Sequence, residues 1–286
     1  MRQRLGALTR RLDAARAGEV EAIHQARVAT RRLREALPLL AAGGKRRKLE
    51  RAVRRLTRAL GPVRELDVAL QNLDEQEGAV PAPALSHVRH ALAAERRAAR
   101  ARAARTLDRT DPDTLRKRAI AAARRAHTDD TAGAARGAGA ARQRTARRAE
   151  RLRTAVDAAA GMYLPDRLHD VRVEVKKLRY ALEMVGGGRR PASKGVSGQL
   201  RVLTRAQDLL GRMHDLEVLI AFVRGVQSTS SVEDLRLSVD LDRLVRQLET
   251  ECRRLHGHYM STRDRLLSVC DQVSAAAARA VRAPAA

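Results

Sequence analysis

Residues 23–40 read IHQARVATRRLREALPLL, and residues 168–185 read LHDVRVEVKKLRYALEMV. The two align without a gap. His24 falls on His169, Arg27 on Arg172, Val28 on Val173, Arg31-Arg32 on Lys176-Lys177, and Leu33-Arg34 on Leu178-Arg179. In both, apolar residues recur every three or four positions, the period of an amphipathic helix and not of a strand. A second matched pair follows, LGPVRELDV at 60–68 and LGRMHDLEV at 210–218, with a spacing from the first motif that differs by five residues between the copies. A unit repeated in this way reads as an imperfect tandem duplication.

At about 100° per residue, His24, Arg27, Arg31 and Arg34 fall within about 80° of the helix circumference. They form one stripe, while Ala26, Ala29, Leu33, Leu37 and Leu40 centre on nearly the opposite side. In the second copy His169, Arg172, Lys176 and Arg179 make the stripe, and Val171, Val175, Leu178, Leu182 and Val185 make the buried face. The next helix repeats the device with Lys48, Arg51, Arg55 and Arg58 against Leu49, Val53, Leu56 and Leu60. Its counterpart carries Lys194, Arg201, Arg205 and Arg212 on one face, but Asp208 stands at the position of Arg58 and Gly198 at that of Lys48. The second half is therefore expected to bind less strongly.

From His24 to Arg58 there are twelve Lys or Arg but only Glu35 and Glu50. A solvated helix face normally mixes signs, because like charges at i,i+4 repel. Repulsion left uncompensated implies an anionic partner. Residues three or four apart rise about 5 Å along the axis, so each stripe offers a file of charges about 15 Å long, which suits an extended polyanion better than a single phosphate. Arginine can pair two hydrogen bonds with phosphate oxygens, lysine supplies a compact charge, and a protonated histidine adds a further donor.

The whole chain has 286 residues, with 58 Lys plus Arg against 33 Asp plus Glu, a formal charge of +25. Such a chain seeks polyanions or acidic surfaces. With no Trp, one Phe and three Tyr, its core must be aliphatic. Strand signals are nearly absent, and helix punctuation recurs at Gly18, Gly43-Gly44, Gly78 to Pro83, Asp111-Pro112, Gly133 to Gly139, Gly161, Pro165, Gly186 to Pro191 and Ser228 to Ser231. The expected fold is all-α with nine or ten helices. Residues 131–140, TAGAARGAGA, read as a linker between a half at 1–130 and a half at 141–286.

The N-terminus lacks a signal-peptide apolar stretch and no window approaches a membrane span, so a cytoplasmic protein is expected. Cys252 and Cys270 are too few for a disulfide scaffold and are expected as thiols.

The repeated His-x-x-Arg-x-x-x-basic-basic-Leu-Arg helix, together with the LGPVRELDV and LGRMHDLEV segments, resembles the CHAD domain, the conserved histidine α-helical domain, over nearly the whole chain. The resemblance implies two helical bundles of four or five helices each, related by a pseudo-two-fold axis, with basic surfaces facing a central groove that binds inorganic polyphosphate. It also implies an association with polyphosphate granules. Carried over residue by residue, the binding role falls on the stripe residues named above and on the basic residues of each following helix. Arg64 departs from the second copy's His214, and Pro62 is expected to kink or restart a helix that the second copy continues through Arg212. Some family members carry a fused CYTH domain; its alternating glutamates are absent, and Arg172-Val-Glu174-Val-Lys176 sits in a helical pattern.

Other signals carry less. The His169-Asp170 and His214-Asp215 dipeptides have no equivalent in the first copy, so no symmetric catalytic metal site is built; Asp170, Glu65 and Asp215 are expected to cap helices or pair with arginine. Cys252 and His256 share a helix face but His258 does not, which argues against zinc. No P-loop, dinucleotide fingerprint or nucleophile elbow occurs. The expectation is a protein without catalytic residues, metal or cofactor. Double-stranded DNA is the competing ligand, since basic helices neutralise its phosphates equally. Single strands need stacking platforms, and Tyr163, Tyr180, Phe222 and Tyr259 are few. A membrane surface is not expected because aromatic anchors are missing. The sequence leaves the oligomeric state open.

Overall fold

A computed structural model describes residues 2–37, 44–124, 131–159, 161–186, 194–229 and 235–282. Ten helices are present among them: α1 (Arg2–Thr9), α2 (Leu12–Ala17), α3 (Val20–Ala36), α4 (Gly44–Asp74), α5 (Ala82–Asp108), α6 (Pro112–Arg124), α7 (Thr131–Ala158), α8 (Pro165–Gly186), α9 (Lys194–Thr229) and α10 (Leu235–Arg282). No strand occurs among the described residues; a single isolated bridge joins Glu77 and Val80 in the α4–α5 turn. The all-α expectation holds.

The chain forms two compact units, one of Met1–Asp130 and Val218–Leu248, the other of Thr131–Glu217 and Glu249–Ala286. The two longest helices, α9 and α10, thus each contribute a segment to both units. Residues 131–140, expected as a linker, are the opening turns of α7. Five of those ten residues are Ala, the strongest helix former, which offsets the roughly 1 kcal/mol that each glycine costs.

In the first unit α4 is the hub, packing against α3, α5 and α6. Its core is aliphatic, as the composition requires: Ile23, Ala26, Leu33 and Leu37 of the α3 segment meet Leu49, Val53, Leu56 and Leu60 of α4. Leu8 of α1, Leu12 of α2, Leu107 of α5 and Leu115 of α6 belong to the same cluster. The apolar face read from residue periodicity is buried at every described position. Leu40 lies outside the described residues.

Helix ends follow from local chemistry. Gly18 ends α2 with φ +87, a left-handed conformation that costs a residue with a Cβ, and the Arg100 guanidinium occupies the space where that Cβ would lie. From there Arg100 Nη2 donates to the Ala17 carbonyl at 3.1 Å and closes the helix terminus. Asp111 caps α6, accepting from the backbone N–H of Asp113 at 2.9 Å and of Thr114 at 3.1 Å, with Pro112 in the first turn. These bonds, with one from the Thr114 hydroxyl as the largest contribution, hold the Asp111 carboxyl below its ordinary pKa.

Of the expected kink or restart at Pro62, the restart is corrected: α4 runs as one helix through it. Pro62 and Arg58 are both exposed, so water can reach the Arg58 carbonyl that the proline leaves without a helical donor. Leu60 and Val63, both fully buried, anchor the helix on either side. Pro62→Ala is expected to raise stability by about 1–2 kcal/mol, the lost donor and ring clash outweighing the unfolded-state entropy that proline removes. Urea unfolding reads the change; an unchanged midpoint would show that α4 carries no strain there.

In the second unit α7 packs against α8. Val171, Val175, Leu178 and Leu182 of α8 are buried, together with Leu203, Leu210 and Met213 of α9 and Leu255, Leu266 and Val269 of α10. The side chain of Val185 lies outside the described residues. This core includes two buried tyrosines, Tyr180 and Tyr259. Cys252 and Cys270 are free and buried, and burial pushes their thiols up to about 11 and about 12 respectively.

Candidate functional site

The first stripe lies on α3. Its central member Arg27 is mostly buried, at 15% side-chain exposure, and its Nη2 donates to Glu65 Oε1 of α4 at 3.1 Å. Its guanidinium lies against Gly61, where a Cβ would approach it to 2.8 Å. A glycine in LGPVRELDV therefore makes room for an arginine in IHQARVATRRL. His24 is half-buried and Arg31 partly so, whereas Arg34 is exposed. Burial first, and then the Arg64 cation of α4, hold the His24 pKa below its ordinary value.

The second copy on α8 repeats the plan with different partners. Arg172 stands 3.8 Å from Asp215 of α9, the residue aligned with Glu65. Both acids thus pair with the arginine of their own unit, as expected. His169 Nδ1 lies 3.4 Å from His214 Nδ1, with ring centroids 4.8 Å apart, where the first unit places Arg64 beside His24. Burial and the neighbouring Arg172 lower the His169 pKa. Arg179 is held in place. Its Nε donates to Gln207 Oε1 at 2.9 Å, its Nη1 to Glu183 Oε1 at 2.6 Å, and its guanidinium sits 4.6 Å from the Tyr180 ring centroid. Lys176 is partly buried.

The stripe of α4 differs from both. Lys48, Arg51, Arg55 and Arg58 are exposed, and among the described residues none of the four has an acidic partner. With Arg54 they line a shallow cleft of about 570 Å³. Arg54 is the exception, donating to Glu50 at 2.6 Å. On α9, Arg201 and Arg205 are exposed and Arg212 is partly buried. Lys194 opens the helix but its side chain lies outside the described residues. The candidate residues thus fall on two kinds of surface: in the first unit an acid-braced arginine on α3 and uncompensated cations on α4, and in the second acid-braced arginines on α8 and, more sparsely, the exposed cations Arg201 and Arg205 on α9.

The sequence reading missed the bracing of Arg179, because Gln207 is 28 positions away on another helix. Glu183 was legible as an i,i+4 partner. It also missed Arg54, which shares the cleft although it lies off the stripe.

Tyr163 donates to Glu217 Oε1 at 2.7 Å, and burial raises both pKa values. Tyr180 and Tyr259 are buried, whereas Tyr163 and Phe222 are partly exposed, so few aromatic faces among the described residues are open to stacking bases. Among them no group of three His, Cys, Asp or Glu side chains is arranged to hold a metal ion, and no helix is long and apolar enough to cross a membrane.

Comparison with curated proteins finds no match. Solved structures share the fold, among them the following two. The CHAD domain from the plant Ricinus communis matches with a TM-score of 0.68 at 24% identity, covering 91% of this chain and 88% of that one. PptA from Streptomyces chartreusis matches with a TM-score of 0.68 at 18% identity, covering 91% and 95%. The family model for the CHAD domain matches residues 1–224, which take in both histidine-stripe helices and both downstream motifs. This chain belongs to the CHAD domain family.

Proposed function

We propose that this chain binds inorganic polyphosphate, without turning it over, through the basic helices α3, α4, α8 and α9. The CHAD family is known for polyphosphate-related proteins. The observation that carries the reading is the α4 cleft, whose wall contains Lys48, Arg51, Arg54, Arg55 and Arg58. Cations gathered this closely repel one another, and an anion that spans several of them relieves the repulsion at every contact. Guanidinium groups then make charge-assisted hydrogen bonds to phosphate oxygens, and released counterions add an entropic gain. The braced arginines Arg27 and Arg172 hold a fixed geometry, so less side-chain entropy is lost when they meet a ligand. A cytoplasmic address at polyphosphate granules accords with this role.

Competition at near-physiological salt tests the reading. Long-chain polyphosphate, duplex DNA and tripolyphosphate are matched in total phosphate. Polyphosphate that displaces DNA and outcompetes tripolyphosphate supports a site for a thin extended polyanion. Equal or preferred binding of DNA would make the chain a nonspecific nucleic-acid binder.

Affinity should also rise on acidification. His24 and His169 have lowered pKa values, so both are neutral in the free protein near pH 7. Bound phosphates favour the imidazolium and raise those values, so binding takes up protons and strengthens as pH falls. One unit of upward shift at one histidine corresponds to about tenfold in affinity. The expected gain between pH 8 and pH 6 is several-fold to about tenfold, flattened in H24Q/H169Q. Stability of the free protein moves oppositely: the unfolded chain protonates its histidines near pH 6.5 while the native chain resists, so native stability falls as pH drops below that value. A flat affinity profile in the unmodified protein would remove both histidines from the ligand's surroundings.

A further inference from the structure

The α4 stripe turns away from α3. Arg55 and Gly61, the latter lying against Arg27, are six residues apart, about 120° round the helix, and Arg58 lies between them. Arg55 instead faces α6. There a groove of about 380 Å³ is lined by Arg55, Arg109 and Arg118, with Ala52 and Leu115 among its apolar residues. Arg55 and Arg118 also line the cationic cleft of about 570 Å³, so the two spaces adjoin across these two side chains. The acid in the groove wall, Asp111, is bonded to its own helix as the cap of α6.

The second unit is built the same way. A groove of about 500 Å³ between α9 and α10 is lined by Arg201, Arg205 and Arg265, with Gln199, Thr262 and Gln272. In the register of the repeat, Arg201 and Arg205 stand where the first unit has Arg51 and Arg55. Each unit therefore adds one arginine from a helix outside the repeated motifs, Arg118 from α6 and Arg265 from α10. Neither has an acidic partner among the described residues, although each stands beside arginines of the stripe it faces. Placing an unpaired guanidinium against like charges raises the energy of the ligand-free protein, and only an anion between them reverses the sign.

We propose that Arg118 and Arg265 are anion-binding residues that close one groove in each unit, each gripping phosphate groups opposite the arginines of α4 or α9. The proposal rests on the reading of the chain as a polyphosphate binder and places part of the ligand on the α6 and α10 sides of these helices, away from the histidine stripes. Phosphate oxygens held between facing guanidiniums accept from both walls, which a stripe on a single helix cannot supply.

The test uses the full chain with R118E/R265E and long-chain polyphosphate. The expected result is affinity at least about tenfold weaker, a shallower dependence of log K on log salt, and unchanged helical circular dichroism. R118K/R265K keeps the charge but loses the paired donors, and should fall between. If R118E/R265E loses helicity, R118Q/R265Q takes its place under the same criteria. Unaltered affinity in the folded double variant, while a triple reversal of Arg51, Arg55 and Arg58 abolishes binding, would overturn the proposal and leave the polyphosphate reading standing. Failure of the unmodified chain to bind polyphosphate would overturn both.

Discussion

R51E/R55E/R58E is expected to lower the proposed affinity for long-chain polyphosphate by about a hundredfold or more, equivalent to about 2.8 kcal/mol, and to leave the fold intact. The three arginines are exposed and lack acidic partners among the described residues, so reversing them breaks no internal bond. Surface substitutions of this kind usually change stability by less than about 0.5 kcal/mol each. Each reversal removes one favourable phosphate contact and substitutes a repulsive one, and the salt dependence of binding becomes shallower with the charges lost. The control is R97E/R105E/R116E, three equally exposed arginines on α5 and α6 that do not line the cleft, which changes net charge by the same amount. Isothermal titration of both triples separates a local site from overall charge. Equal losses in the two would mean that the +25 charge binds diffusely and that the α4 cleft has no special part. Arg27 is a poorer target than its central place in the motif suggests, because R27E would set a carboxylate against Glu65 and disturb the packing over Gly61.

The largest expected effect on stability belongs to Arg96→Ala. Asp67 of α4 is buried, at 3% side-chain exposure, and Arg96 Nε of α5 reaches its Oδ1 at 2.6 Å. Its second oxygen, Oδ2, is buried without a hydrogen-bond partner. Removing the arginine strands a buried carboxylate, and breaking such a pair from one side costs about 3–5 kcal/mol. That is a large part of the 5–15 kcal/mol typical of a whole protein. The double variant D67A/R96A should recover much of the loss, because no uncompensated charge remains. Urea unfolding of both singles and the double completes the cycle. Strictly additive losses would mean that the pair is not coupled and that Arg96 matters only through its aliphatic packing. Polyphosphate affinity of the folded R96A protein should stay unchanged, since the pair lies on the buried side of α4.

Several features were legible in local pattern because they depend on neighbours within two or three turns. The helices, the buried face of each and the basic stripes all follow from spacing along a single helix, and hydrophobic burial needs no knowledge of which helix supplies the opposing surface. The repetition of IHQARVATRRLREAL as LHDVRVEVKKLRYAL was equally open, since it asks only that two segments be compared. The continuity of α4 through Pro62 was not legible: the cost of a missing donor depends on whether water reaches the Arg58 carbonyl, and that is decided by which side of the packed helix it occupies. Residues 131–140 misled for a related reason, as three glycines weaken a helix without preventing one among five alanines.

What the sequence by itself determined is the all-α fold, the repeated motif and the positions of its cations. What only the tertiary structure decided is which of those cations are already satisfied. Arg27 meets an acid 38 positions away and Arg179 an amide 28 positions away, while Arg51, Arg55 and Arg58 meet no acid among the described residues; Arg118 comes to face the α4 arginines from α6, and Arg265 comes to face Arg201 and Arg205 from α10. Charge pairing across helices depends on packing register and falls off over a few ångströms, so the same arginine is a brace or a binding group according to what the fold sets beside it.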